Sequence, residues 1–216
     1  MIGIVDYGVG NLYSLTCALR ALEAEVLVSR EPEALQKADS LILPGVGAFA
    51  GAMEKLKASG LDQVVTEQAK AGVPLLGICL GMQLLFSESL EFGRHPGLNL
   101  LPGQVVPMAP RLPQGLKTPH MGWNRLHLCN GDSRLLAQSK EGDFVYFVHS
   151  YYAQGCGAAL AATTDYGIPI TAAVEQDNLF GCQFHPEKSG PAGLRILSSF
   201  GRLTERKMVC DSLSCH

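Results

Sequence analysis

The run Pro74-Leu75-Leu76-Gly77-Ile78-Cys79-Leu80-Gly81-Met82-Gln83-Leu84-Leu85-Phe86 limits what this chain can fold into more than any other stretch. Residues 74–78 form an apolar run of strand length. Gly77 to Gly81 predicts a sharp turn with Cys79 at its apex, and Met82 to Ser87 reads as the start of an apolar helix. A strand, a tight turn and a helix in that order lift the apex side chain out at the end of a parallel sheet. Glycines two residues to either side of Cys79 suit a turn so crowded that a Cβ would collide with a neighbouring strand or helix. The following helix directs its N-terminus at the sulfur, which favours thiolate. A lone cysteine among apolar residues is ordinarily a core residue; the two glycines and the residues downstream argue otherwise here.

Charged residues make up 17% of the 216-residue chain and hydrophobic ones 47%, so it has the material for one sizeable core and is not of disordered composition. A net charge of -3 gives no reason to invoke nucleic acid or a membrane surface. No apolar run reaches membrane-spanning length. Met1-Ile2-Gly3-Ile4-Val5 reads as a first strand and not as a signal peptide. Seven cysteines without any C-x-x-C spacing argue against a zinc ribbon and for free thiols in a reducing cytoplasm.

Taken in order, residues 1–5 predict a strand and Asp6 to Asn11 a glycine-rich loop. Leu12, Leu15, Leu19 and Leu22 mark an amphipathic helix over 12–23. The loop lacks the third glycine of a dinucleotide fingerprint, since position 13 is Tyr13. A second strand over 25–29, a short helix over 31–37 and a third strand at 41–43 follow. That strand ends in Pro44-Gly45-Val46-Gly47-Ala48-Phe49, a segment free to change conformation and to approach a ligand. Helices over 51–59 and 61–71 lead to the strand that delivers Cys79. Alternating β and α units imply a parallel sheet with helices on both faces. Beyond residue 88, glycine and proline dominate. Gln104-Val105-Val106 suggests an edge strand, and 118–124 a polar loop holding the one tryptophan. Strands follow at 144–148, 158–163, 170–175 and 179–184, then a closing helix over 193–203 and a polar tail over 204–216, expected to fray. The expected fold is therefore a flavodoxin-like or α/β-hydrolase-like three-layer α/β sandwich. Its central sheet is mostly parallel, with an antiparallel portion added in the C-terminal half. Residues 1–203 would make a single domain.

A thiol nucleophile needs a base, and the base an orienting group. His185 follows a buried strand, as Cys79 does. Glu187 lies two residues on, across the stiff Pro186, where a carboxylate can accept from one imidazole nitrogen while the other faces the sulfur. His149 also ends a strong strand and competes as the base, but it has no carboxylate nearby. An oxyanion would find one donor in the Leu80 backbone N–H, and a second could come from segment 44–47.

Gly-Ile-Cys-Leu-Gly-Met-Gln at 77–83, together with Phe-His-Pro-Glu at 184–187, resembles the class I (triad) glutamine amidotransferase family. The segments at 6–11, 44–49, 119–124, 146–151 and 185–189 are similar to one branch of it, over residues 1 to about 203. The resemblance implies that Cys79 attacks the side-chain amide of L-glutamine, with His185 as base and acid and Glu187 as its orienter. It assigns the backbone of Gly47 and Leu80 to the oxyanion, and Gln83, Ser150 and Tyr151 to the glutamine site. It also implies that the released ammonia passes to a separate (β/α)8 cyclase subunit of a heterodimer, with Asn11, Trp123, Tyr146 and Lys188 at the interface. It calls for no metal and no cofactor. Two neighbouring readings share the elbow: an amidotransferase serving another synthase, and a stand-alone γ-glutamyl hydrolase. A third is a cysteine-containing sensor of the flavodoxin-like class, in which His185 and Glu187 would be dispensable.

Overall fold

Up to Cys79, each apolar run and each amphipathic stretch becomes the element its spacing calls for in the computed structural model, which describes residues 1–129 and 131–213, with side chains through 203. Strand β1 (Ile2–Val5) leads to helix α1 (Leu12–Ala21), then β2 (Val26–Ser29), α2 (Pro32–Leu35) and β3 (Ser40–Gly45). Helices α3 (Phe49–Ala58) and α4 (Leu61–Lys70) precede β4 (Leu75–Cys79) and α5 (Leu80–Leu84). The Asn11 side chain caps α1 by accepting from the Ser14 backbone N–H at 3.4 Å, and Leu15 and Leu19 form its buried stripe.

The second half contributes β5 (Phe86–Ser89), β6 (His95–Pro96), β7 (Leu101–Pro107), β8 (His120–Arg125), β9 (His127–Leu128), β10 (Phe144–His149) and β11 (Tyr151–Gln154). It closes with β12 (Leu160–Asp165), β13 (Pro169–Gln176), β14 (Leu179–Cys182) and α6 (Gly190–Leu213). The main sheet has the order β2-β1-β3-β4-β14-β13-β12-β9. Its pairings from β2 to β14 are parallel, and those from β14 to β9 are antiparallel. This is the expected mostly parallel sheet with an antiparallel extension. Strand β3 shows why it is buried on both sides: Leu41 and Leu43 pack into one core, and Ile42 between them packs into the other. Phe180 of β14 meets Phe200 of α6 edge to face at 5.9 Å in that second core. Burying side chains of this size contributes about 1.5–3 kcal/mol each.

Four expectations need correction. Residues 118–124 are not simply a polar loop: β8 pairs with β10 along its whole length in a separate two-stranded ribbon. The strand was hidden because its inward positions are His120, Gly122 and Asn124, so no apolar alternation marks it. The segment 104–106 is not an edge, because β7 lies between β11 and β5 in a four-stranded sheet and Val105 is fully buried. The helix after Cys79 stops at Leu84, where the chain turns into β5 to pair with β7. Finally, the closing helix α6 begins at Gly190, three residues before the expected start, and its backbone runs to Leu213; the side chains of the tail lie outside the described residues.

Candidate active site

Cys79 stands at the carboxyl end of β4 with φ 55° and ψ −111°, a conformation that costs an L-residue roughly 1–3 kcal/mol and persists only where its surroundings impose it. The surroundings here are backbone. A Cβ on Gly77 would lie 2.6 Å from Met82 Cα, and one on Gly81 would lie 1.8 Å from the Leu43 carbonyl oxygen. Only glycine lets α5 descend this close to β3 and β4, and that descent forces the turn at Cys79.

Strand β14 pairs in parallel with β4, Cys182 opposite Ile78, so the segment after β14 emerges beside the elbow. It carries His185 and Glu187. His185 Nδ1 lies 2.8 Å from Glu187 Oε1, with both side chains almost fully buried. Since a carboxylate accepts, Nδ1 carries a proton and Nε2 is left for the sulfur. That nitrogen is buried and makes no hydrogen bond of good geometry. Burial alone would lower His185, but the adjacent Cys79 sulfur and the hydrogen-bonded Glu187 carboxylate outweigh it and raise His185 to about 9. The His185 backbone is fixed too: its N–H donates to the Tyr146 carbonyl at 2.9 Å, and Ser189 Oγ donates to its carbonyl at 2.6 Å.

A cavity of about 360 Å³ opens onto this group, lined among others by Gly47, Cys79, Leu80, Gln83, Glu91, His149, Ser150, Tyr151 and His185. All the residues expected at the oxyanion and glutamine positions therefore converge. Gln83, however, spends its amide hydrogens within the protein. Nε2 donates to the Tyr151 carbonyl at 3.0 Å and to Gln183 Oε1 at 2.9 Å. The glycine segment 45–48 crosses the cavity rim between two anchors. Tyr7 Oη donates to the Pro44 carbonyl at 2.8 Å, and Glu91 Oε2 accepts from the Phe49 N–H at 2.5 Å. Gly47 between them has φ +95°, and a Cβ there would meet nothing within 4 Å.

His149 is positioned to be neutral. Its Nδ1 must donate to the Tyr151 carbonyl at 2.9 Å, so its Nε2 accepts from His120 Nδ1 at 3.1 Å. Burial, with the neighbouring His120 and His185 charges, depresses His149 to about 3 against the opposing pull of that carbonyl; burial lowers His120 to about 4. A histidine bound in this way, with no carboxylate, is not equipped to serve as the base.

Of the four residues expected at an interface, three form one cluster. Trp123 packs edge to face on Tyr146 at 4.9 Å, and Lys188 Nζ lies 5.7 Å from the Tyr146 ring centre. Trp123 and Met121 are each 62% exposed and Phe144 is 50% exposed. Asn11 is apart from them. It lines a small cleft with Val46, His185 and Glu187.

Comparison with known sequences decides the family. A family profile described as Glutamine amidotransferase class-I matches residues 3–202. The chain belongs to the class-I glutamine amidotransferase family. Within it, the chain is 51% identical over 212 residues to the imidazole glycerol phosphate synthase subunit HisH of Bacillus licheniformis, covering 97% of this chain and 99% of that one. It is 50% identical over 200 residues to the HisH subunit of Methanothermobacter thermautotrophicus, covering 93% and 97%. Among solved structures, one described as a glutamine amidotransferase superposes with a TM-score of 0.73 at 21% identity, over 94% of this chain and 98% of the other. The glutaminase domain of Trypanosoma brucei CTPS gives 0.65 at 19% identity, over 93% of each chain. At such identities these two speak for the fold alone.

Three residues of this amidotransferase site escape a reading of the sequence. Tyr7 and Glu91 anchor the glycine segment from loops with no pattern to flag them. Gln183 was legible in principle. It lies two positions before His185 at the end of an apolar strand, on the same side by the period of a strand, and a fully buried glutamine there needs a partner. Among the described residues no cluster of His, Cys, Asp and Glu could hold a metal ion, and no helix is long and apolar enough to cross a membrane.

Proposed function

We propose that this chain is the glutaminase subunit of imidazole glycerol phosphate synthase, hydrolysing L-glutamine to glutamate and ammonia. The observation that carries the reading is the buried Cys79–His185–Glu187 group at the ends of two adjacent strands, open to a cavity of amino-acid size. His185 Nε2 holds the proton of the Cys79 thiol, and the thiolate attacks the glutamine amide carbon. The resulting oxyanion is met by the Leu80 backbone N–H and, once segment 45–48 is set, by that of Gly47. The imidazolium returns its proton to the departing nitrogen, ammonia leaves, and a γ-glutamyl thioester remains. Water, deprotonated by His185, attacks the thioester; glutamate forms and the thiolate is regenerated. Glu187 holds the imidazole in the tautomer that both steps need. Gln83, Ser150 and Tyr151 line the substrate, Gln83 through its remaining oxygen.

Ammonia in neutral water is mostly protonated and no longer a nucleophile, so it is useful only if delivered along a closed path. The recipient in this reading is the (β/α)8 cyclase subunit, which uses it on a phosphoribulosyl formimino intermediate to form imidazole glycerol phosphate and aminoimidazole carboxamide ribotide. The exposed Met121–Trp123–Phe144 ribbon, with Tyr146 and Lys188, supports that partner's seat, because a ribbon presenting three large exposed side chains is unusual for a surface facing water alone. Asn11 shares a small cleft with His185 and Glu187, apart from that ribbon. The test is glutamate release from glutamine with and without the ligand-bound cyclase subunit. Strong stimulation by the partner is expected. Full activity of the isolated chain would instead identify a stand-alone hydrolase.

A further inference from the structure

The sulfur of Cys79 has a second polar neighbour besides His185. Gln183 Nε2 points at Sγ from 3.8 Å, a long contact within the range of N–H···S hydrogen bonding. Gln183 is fully buried, and its orientation is not free. Gln83 Nε2 donates to Gln183 Oε1 at 2.9 Å and also to the Tyr151 carbonyl at 3.0 Å. The oxygen of the Gln183 amide must therefore face Gln83, and the amide hydrogens must face the sulfur. The Gln183 backbone N–H is tied to the Ala172 carbonyl at 2.9 Å. Two glutamines thus form a directed relay ending on Cys79.

We propose that Gln183 is a further catalytic residue, whose side-chain N–H solvates the Cys79 thiolate in place of excluded water, with Gln83 as the residue that positions it. A buried anion needs donors, and the other described side chains around the Cys79 sulfur have their hydrogens committed elsewhere. Tyr7 from the loop after β1 spends its hydroxyl proton on the Pro44 carbonyl. Cys182 on β14 is buried, near Glu187 and Cys79, and both influences with burial keep it a thiol. His149 from β10 holds its proton on the Tyr151 carbonyl, and Glu91 across the cavity is occupied by the Phe49 N–H. Among the described side chains, His185 and Gln183 offer N–H groups to the sulfur, and His185 gives up its proton to the leaving nitrogen midway through the reaction. The amide donor remains in place throughout, so it also stabilises the thiolate as the thioester breaks down.

This assignment rests on Cys79 being the nucleophile, and its test needs neither glutamine nor the partner. The pH dependence of Cys79 alkylation by iodoacetamide is followed by mass spectrometry in the full chain. In Gln183→Met, which keeps the volume and removes the donor, the profile should move up by about one pH unit. In Gln183→Glu, where an anion replaces the donor, it should move further. In Gln83→Met, with the relay untethered, it should move part of the way. A role confined to packing would lower the melting temperature and leave the profile superimposable on wild type, and that result overturns the assignment. If the Gln183 variants do not fold, wild type still decides. The side-chain amide resonances of Gln183 should shift across the pH range of the alkylation profile and stay fixed in Cys79→Ala, and pH-independent resonances in wild type would overturn it.

Discussion

At the scale of single residues, Cys79 and His185 are both held where an ordinary protein would not hold them. The backbone of Cys79 is in a left-handed conformation that glycine tolerates and alanine does not. Replacing it should therefore invert the usual order of stability: Cys79→Gly should melt higher than Cys79→Ala, by about 1 kcal/mol in unfolding free energy. Both should lose glutamate release entirely. His185 is raised to about 9 by Cys79 and Glu187. A group raised above its unfolded value contributes stability that is fully present below about pH 6.5 and is lost as pH rises through about 9. Denaturant midpoints measured across that window should fall with pH in wild type, and the slope should flatten in Glu187→Gln. Much of this was readable beforehand. The spacing of Gly77, Cys79 and Gly81 points to the elbow from local chemistry, and it gives weight to a His-Pro-Glu run that is weak evidence on its own. The neutral state of His149 was not readable, since it depends on His120 and on a carbonyl two residues away in a different direction.

At the scale of elements, the elbow works because α5 is pressed against β3. A methyl group at position 81 would overlap the Leu43 carbonyl, with no flexible side chain to give way. Gly81→Ala should cost about 3 kcal/mol and abolish activity even where the chain still folds, as read by chemical denaturation and by glutaminase assay with the partner present. The glycine segment between β3 and α3 is held differently, at its ends and by side chains. Glu91→Gln weakens the bond to the Phe49 N–H from a charge-assisted one to a neutral one, which should cost about 1 kcal/mol. The readout is faster hydrogen exchange at residues 47–50 by mass spectrometry. Elements with an apolar stripe, such as α1, α3 and β3, were legible in the sequence. Strand β8 was not, because its inward face is polar and satisfied by neighbours: Asn124 Nδ2, for example, donates to the Asp165 carbonyl at 2.6 Å. The true partner of β10 was hidden with it.

At the scale of the whole molecule, the main sheet divides into an early parallel part and a late antiparallel part that meet where β4 lies against β14. The three exposed side chains belong to the β8–β10 ribbon, whose Tyr146 is bridged to His185 in the segment after β14. If the ribbon seats the proposed cyclase partner, Trp123→Ala should weaken that binding by about 2 kcal/mol, roughly thirtyfold in Kd. The unstimulated rate of the chain alone should be unchanged; calorimetric titration and the paired assay separate the two. The junction has a further meaning. Gln183 and Cys79 meet across 104 positions of sequence, and neither half of the chain holds both members of the site. A nascent or refolding molecule in which β14 has not yet docked on β4 carries a thiol without a base. The reactivity of that one sulfur is then a clock on chain closure: it reports when the two halves have joined, at a resolution that a spectroscopic average over the whole sheet does not give.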